Sequence, residues 1–305
     1  MSWIEATDPK CDASASQSAI EMVIEGRPRD LGGFSVQRVL PAPRRRAIGP
    51  FVFFDHMGPA SFQPGDGIDV RPHPHINLAT VTYLFEGEIM HRDSGGSAQA
   101  IQPGAINWMT AGRGIVHSER TAPGERARPS SLHGIQAWIG LPKAHEETEP
   151  AFHHHPAVSL PVIRSEKAEL RLLLGEGWGQ RSPVALFSPT IYAEARLEAG
   201  ARLSFEAKWA ERAIYVAQGL VGCESGRAGP GTMWVLERDR PVQITAEESS
   251  RIMLLGGDPL DGERHIFWNF VSSSKDRIER AKRDWKEQRF PRVPGDDADF
   301  IPLPE

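Results

Sequence analysis

Cysteine is scarce in this 305-residue chain. Only Cys11 and Cys223 occur, far apart, so neither a disulfide framework nor a cysteine-based zinc site can be built. Long apolar runs are missing too: no segment approaches the ~20 apolar residues that span a bilayer as a helix. The opening Met1-Ser-Trp-Ile-Glu-Ala-Thr-Asp8 carries acids and no apolar run, unlike a secretory signal, and a cytoplasmic location is expected. There is no excess of basic charge. With 35 Lys and Arg against 40 Asp and Glu, the net charge of −5 gives no electrostatic reason for direct contact with nucleic acid. The short basic run Arg44-Arg45-Arg46 reads as a solvated loop rather than a partner patch.

What is present is ordinary globular material, 40% hydrophobic and 25% charged, which excludes a largely disordered chain. Gly (29) and Pro (25) favour many turns and short strands over long helices. From Phe34 onward, short alternating runs appear between them, among them Ser35–Leu40, Thr80–Phe85, Ala105–Met109, Gly134–Ile139, Ala213–Ala217 and Arg251–Leu255. Period-two patterning at such spacing predicts antiparallel sandwiches or barrels. A helix is predicted only near the end. Asp276 and Glu279 lie early, Lys282, Arg283 and Lys286 late, as the helix dipole favours, with Ile278, Ala281 and Trp285 as its apolar stripe.

Two stretches look like diverged copies of one unit. Tyr83-Leu-Phe-Glu-Gly87, then Pro103-Gly104 and Trp108, is echoed by Tyr215-Val-Ala-Gln-Gly219, then Pro230-Gly231 and Trp234. The expected architecture is all-β, two tandem barrels with a C-terminal helix. Its expected parts are a tail or docked arm over 1–33, a first barrel over 34–145, a second over 146–270, and the helix and tail over 271–305.

His73-Pro-His75 and His117-Ser-Glu119 carry the chemistry. On a strand, residues i and i+2 project from one face, so each pair can converge on one point. If the two strands lie close, three imidazoles and a carboxylate meet, a set suited to Fe, Mn, Co, Ni, Cu or Zn. Four protein ligands leave an octahedral ion two open positions. The second copy acts as an internal control. Phe205 and Ala207 stand where His73 and His75 do, and Ile244 and Ala246 where His117 and Glu119 do, so a packed core is expected there. His153-His154-His155 falls in a Pro-rich connector and is read as incidental. His56 and His91 are read as ordinary hydrogen-bonded histidines, with the barrel mouth as the alternative. Gly112-Arg113-Gly114 is read as a tight turn delivering His117.

The run His73-Pro-His-Ile-Asn-Leu-Ala-Thr-Val-Thr-Tyr-Leu-Phe-Glu-Gly87 resembles the first cupin motif of the pirins. Pro103-Gly-Ala-Ile-Asn-Trp-Met-Thr-Ala-Gly-Arg-Gly-Ile-Val-His-Ser-Glu119 resembles the second and is the more specific. Gly49–Asp55, His133–Pro142 and Trp268–Ser274 add matches, so the resemblance spans roughly residues 34 to 291. It implies a bicupin whose first barrel holds one metal, Fe(II) foremost, on His73, His75, His117 and Glu119, with no metal in the second. Two activities attach to pirin-like proteins. One is quercetin 2,3-dioxygenase chemistry on a flavonol or similar enolisable aromatic with dioxygen. The alternative is a metal-dependent regulatory binding module of the transcription-cofactor kind, with a protein partner and no turnover. In one respect the chain departs from the family. Most pirins carry a Glu four residues after the second histidine, where this chain has Ala79. Loss of a proton-handling carboxylate is expected there, leaving Glu119 as the catalytic base.

Overall fold

The computed structural model describes residues 18–30 and 34–305. Cys11 and most of the expected N-terminal tail lie outside the described residues. The first barrel is made from β2 (Arg27–Asp30), β3 (Ser35–Leu40), β4 (Phe51–Phe62), β5 (Asp69–His75), β6 (Leu78–Glu86), β7 (Ile89–Asp93), β8 (Ala98–Ile101), β9 (Ile106–Thr110), β10 (Ile115–Arg120), β11 (Ser130–Gly140) and β12 (Ala151–His155). Two antiparallel sheets form it, one of seven strands in the order β12-β9-β6-β11-β4-β3-β2 and one of four, β5-β10-β7-β8. The second barrel repeats the plan with a seven-stranded sheet and a four-stranded one.

Each barrel borrows from the far end of the chain. Ile20–Glu25 (β1) pairs with Thr232–Leu236 in the second barrel, although it precedes the first. β12 comes from the expected connector, past the expected first-barrel limit of 145, yet pairs with β9 of the first barrel. The hairpin of His265–Phe267 and Phe270–Ser272 also returns to the first barrel, where Phe270 bridges to Ile76. The helix Lys275–Lys286 follows it, with Ser274 as its N-cap accepting from the Arg277 amide and Ile278, Ala281 and Trp285 buried. These three side chains pack with Ile76, Val116 and Phe270 in one cluster. The last residues then strap down on the first barrel. Ile301 N–H donates to Pro72 O at 2.9 Å, and Trp285 Nε1–H donates to Ile301 O at 3.0 Å.

Strand β6 explains why its sequence reads as nearly continuous apolar residues: it is buried on both sides. Ala79, Val81, Tyr83 and Phe85 face the second barrel within the largest apolar cluster, which draws residues from both halves. Thr80 and Thr82 face the interior of the first barrel. All three tyrosines of the chain, Tyr83, Tyr192 and Tyr215, lie in that inter-barrel cluster at no more than 1% exposure. Two of them, at matching positions of the sequence repeat, cross the interface in opposite senses. Tyr83 donates from the first barrel to Glu194 of the second at 2.5 Å, and Tyr215 of the second meets His56 Nδ1 of the first at 2.8 Å.

The repeat is visible in backbone geometry as well. Gly87 and Gly219 have φ of 86° and 83°, Gly104 and Gly231 of 81° and 88°. At Gly87 a Cβ would stand 2.0 Å from Ser131 O, so both conformation and space demand glycine. In the second barrel Phe205, Ile244 and Ala246 lie in the apolar core. Ala207 does not share that core; it is half-buried in the turn beyond its strand. Among the described residues no helix is long and apolar enough to cross a membrane.

Candidate metal centre

Strands β5, β10 and β7 lie side by side and present three i, i+2 pairs to the same interior. In register, His73 pairs with His117 and His117 with Asp93, while Glu119 pairs with His91. The turn Gly112-Arg113 that precedes β10 is fixed by close approach, since a Cβ on Gly112 would stand 2.0 Å from Thr148 O. β5 carries an extra residue opposite the His117–Glu119 step, around Arg71-Pro72. Next to that irregularity, Arg71 O accepts from His73 Nδ1–H at 2.8 Å.

One donor atom each from His73, His75 and His117 gathers within 4.8 Å, and a second such group joins His91, His117 and Glu119. Three of the four expected residues thus form one group, while Glu119 joins His117 in the other, which includes His91. His75 and His117 are 1% exposed, His73 and Glu119 6%. Backbone carbonyls set two of the tautomers: Nδ1–H of His73 donates to Arg71 O, and Nδ1–H of His75 donates to Asn269 O at 3.1 Å. Each ring is left with a lone pair on Nε2. Among the described residues, His117 Nε2 is buried with no hydrogen-bond partner. A buried, unpartnered nitrogen is costly unless something else takes its lone pair, and a cation does so.

Electrostatics agree with that fit. Burial holds the pKa of His75 and His117 well below the ordinary imidazole value and also lowers that of His73; neighbouring imidazoles add to the effect. The three rings are thus neutral at physiological pH, the state in which imidazole binds metal. Glu119 is held at both oxygens, Oε1 by the Thr82 hydroxyl at 3.2 Å and Oε2 by Gln136 Nε2–H at 2.7 Å.

The facing sheet is patterned to match. One row of cross-strand neighbours on its inner face reads Arg38, Asp55, Gln136, Thr82, Asn107 and His154, polar at every strand. The next row reads Phe53, Trp138, Thr80, Met109 and Phe152. Trp138 stacks on Phe53 at 4.0 Å and stands edge-on to His75 at 5.0 Å, with its indole N–H buried and, among the described residues, unpartnered. The first barrel thus has a polar lining where the second has an apolar core.

The chain's similarity to known proteins fits this arrangement. The Pirin family profile matches residues 33–139, and that of the Pirin C-terminal cupin domain matches 192–291. The chain belongs to the pirin family. A pirin-like protein of Caulobacter vibrioides is 49% identical over 94% of this chain and 100% of its own. A Pseudomonas aeruginosa relative, provisionally named as a quercetin 2,3-dioxygenase, is 36% identical over 94% of this chain and 93% of its own. Among solved structures, the quercetin 2,3-dioxygenase from Acinetobacter baumannii superposes with a TM-score of 0.87 at 31% identity, covering 93% of this chain and 95% of that one.

Some residues stand differently from the sequence reading. Ala79, where most pirins carry an acid, lies on the inter-barrel face of β6, opposite to Thr82 and Glu119. Strand parity therefore points any side chain at this place away from the metal centre, and the expected loss of a proton-handling group there does not follow. His56, by contrast, is the ordinary hydrogen-bonded histidine of the first reading, buried at the interface and bonded to Tyr215 and to His133 Nε2 at 2.8 Å. His91 is hydrogen-bonded, but into the metal centre, where its Nδ1 lies 3.4 Å from His117 Nδ1. Neither metal-capable group among the described residues includes His153, His154 or His155; His154 Nδ1 meets Asn107 Oδ1 at 2.7 Å. Arg45 in the basic run is engaged by Glu21 and Glu211. Sequence reasoning missed Asp93, Thr82, Gln136 and the carbonyls of Arg71 and Asn269. His91-Arg92-Asp93 repeats the i, i+2 spacing of the two recognised motifs, and that signal would have found it.

Proposed function

We propose that this pirin is a metal-dependent oxygenase of the quercetin 2,3-dioxygenase type, acting on a flavonol or similar enolisable aromatic. The observation that carries the proposal is His117 Nε2, buried and unpartnered among two further neutral imidazoles and a carboxylate. In this reading His73, His75, His117 and Glu119 hold one divalent transition ion, Fe(II) foremost. The bound ion supplies Lewis-acid polarisation of a substrate oxygen and a redox partner for dioxygen.

The protein's own groups handle the proton and the pose. Glu119 takes the substrate's hydroxyl proton at Oε1, whose hydrogen bond from Thr82 is the longer of its two and the easier to exchange. Gln136 keeps Oε2 in place while this happens. Trp138, beside His75, offers its free indole N–H to a substrate oxygen, and its stack on Phe53 fixes the ring. The identity to the Pseudomonas relative and the superposition on the Acinetobacter enzyme support the substrate class. A second reading, a metal-dependent binding module without turnover, is favoured by how closed the centre is, with none of the four residues above 6% exposure.

Oxygen consumption with quercetin, metal-loaded against chelated, separates the two. Uptake that requires the metal supports the enzyme; no uptake across a flavonol panel supports the module. Glu119→Ala is expected to lower turnover more than metal occupancy, and equal losses would reduce Glu119 to a structural ligand. His117→Ala is expected to empty the site.

A further inference from the structure

Three imidazoles point Nε2 into the centre, but they are held in two different ways. His73 and His75 each donate to a main-chain carbonyl, a neutral dipole. His117 instead leans on a second side-chain pair. His91 Nε2 lies 3.0 Å from Asp93 Oδ2, and the other Asp93 oxygen accepts from the amides of Gly95 at 2.9 Å and Ser97 at 3.1 Å. A carboxylate whose other oxygen is so bound can only accept from the ring, so the His91 proton sits on Nε2 and its Nδ1 carries a lone pair. That lone pair faces His117 Nδ1 at 3.4 Å, which places the His117 proton on Nδ1 and frees Nε2 for the ion. The His91 ring is itself clamped, lying flat against Phe152 at 4.3 Å and 14°.

We propose that Asp93 and His91 form a positioning relay that sets the tautomer and donor strength of His117, and through it the affinity of the centre for its metal. This inference rests on the metal reading of the centre and not on oxygenase activity. Register supports it independently of the hydrogen bonds: Asp93 is the direct cross-strand neighbour of His117 and His91 that of Glu119, so the pair belongs to the same face by strand geometry alone. The relay ends on a full negative charge where its two counterparts end on dipoles. Removing it withdraws that charge from one imidazole in three. Outer partners of metal-bound histidines typically set metal affinity by about 10–100-fold.

The test is metal affinity of the full-length protein, measured with nickel(II) and cobalt(II) by chelator competition. His91→Phe keeps the stacked ring and removes both hydrogen bonds; His91→Gln keeps an acceptor toward His117 and a donor toward Asp93; Asp93→Asn removes the charge and, with the amide oxygen kept by the Gly95 and Ser97 amides, turns a donor toward the His91 ring. About 10–100-fold weaker binding is expected for His91→Phe, with recovery to within a few-fold in His91→Gln. The visible spectrum of the cobalt protein should shift in His91→Phe and Asp93→Asn and return in His91→Gln. Equal melting temperatures of the metal-free variants show that all have folded. Binding by His91→Phe within threefold of the unaltered protein overturns the relay while leaving the metal reading intact. Two ions bound per unaltered chain, falling to one in His91→Phe, overturns it by making His91 a ligand. An unaltered protein that binds neither ion overturns both readings. Flavonol turnover enters none of these outcomes.

Discussion

Mild acid should loosen the contact between the two barrels before it reaches most carboxylates, and His56 is the group responsible. Burial, with His133 close by, pushes its pKa down from 6.5 to about 3. A group whose pKa is depressed on folding contributes stability that is complete above its unfolded value and drains away as pH falls toward the folded one. For His56 the window therefore opens near 6.5 and closes near 3. Between about pH 7.5 and pH 5 the linkage amounts to ~2 kcal/mol from this residue alone. Desolvation by burial is the main cause, and His133, whose Nε2 lies 2.8 Å from His56 Nε2, adds a smaller charge repulsion. Urea unfolding followed by tryptophan fluorescence, at both pH values, on the unaltered chain and on His56→Gln, isolates the effect. Buried histidines that do not touch His56 titrate equally in both proteins and cancel in the comparison, so the difference reports His56 together with its partner His133. The unaltered chain is expected to lose about 2 kcal/mol more than His56→Gln on acidification. Parallel losses, within about 0.5 kcal/mol, would refute the assignment of the acid sensitivity to this contact.

Gln136→Leu removes the 2.7 Å donor to Glu119 Oε2 and leaves a buried carboxylate oxygen short of a partner, so metal affinity should fall about tenfold by chelator competition. Ala79→Glu tests strand parity: a carboxylate forced into the inter-barrel cluster should destabilise by about 3 kcal/mol or more in urea unfolding, with no gain in oxygen uptake on quercetin. Higher turnover in that variant would mean the side chain reaches the centre after all. Gly112→Ala places a Cβ 2.0 Å from Thr148 O at a φ of 49°, and should lower both the melting temperature and nickel occupancy by displacing the turn that leads to His117.

The parts of the fold carried by periodicity were legible. The terminal helix buries the three residues of its apolar stripe, and the two Gly-bounded repeats occupy matching backbone conformations. The centre was legible where its chemistry resides in side chains at i, i+2 spacing, as in His73-Pro-His75 and His117-Ser-Glu119. Three things escaped for physical reasons. The acceptors for His73 and His75 are main-chain carbonyls, which carry no residue signature. Membership of Ile20–Glu25 and Ala151–His155 in the two barrels is decided by pairing over more than a hundred residues in one case and around forty in the other, which no local pattern encodes. Ala79 was misread by counting from the histidine motif. The alternation of Thr80 and Thr82 with Val81 and Tyr83 already assigns position 79 to the apolar side.

The carbonyl of Asn269 reaches His75 from beyond the second barrel, and Ile301 N–H donates to Pro72 O in the middle of the same strand. During synthesis every ligand is therefore made long before the groups that orient one of them. A chain halted after its first barrel would own the donors but lack the acceptor that fixes the His75 ring. On the metal reading, loading of an ion at full strength would need these late-made groups, and trimming the last residues would be felt first as a leakier metal.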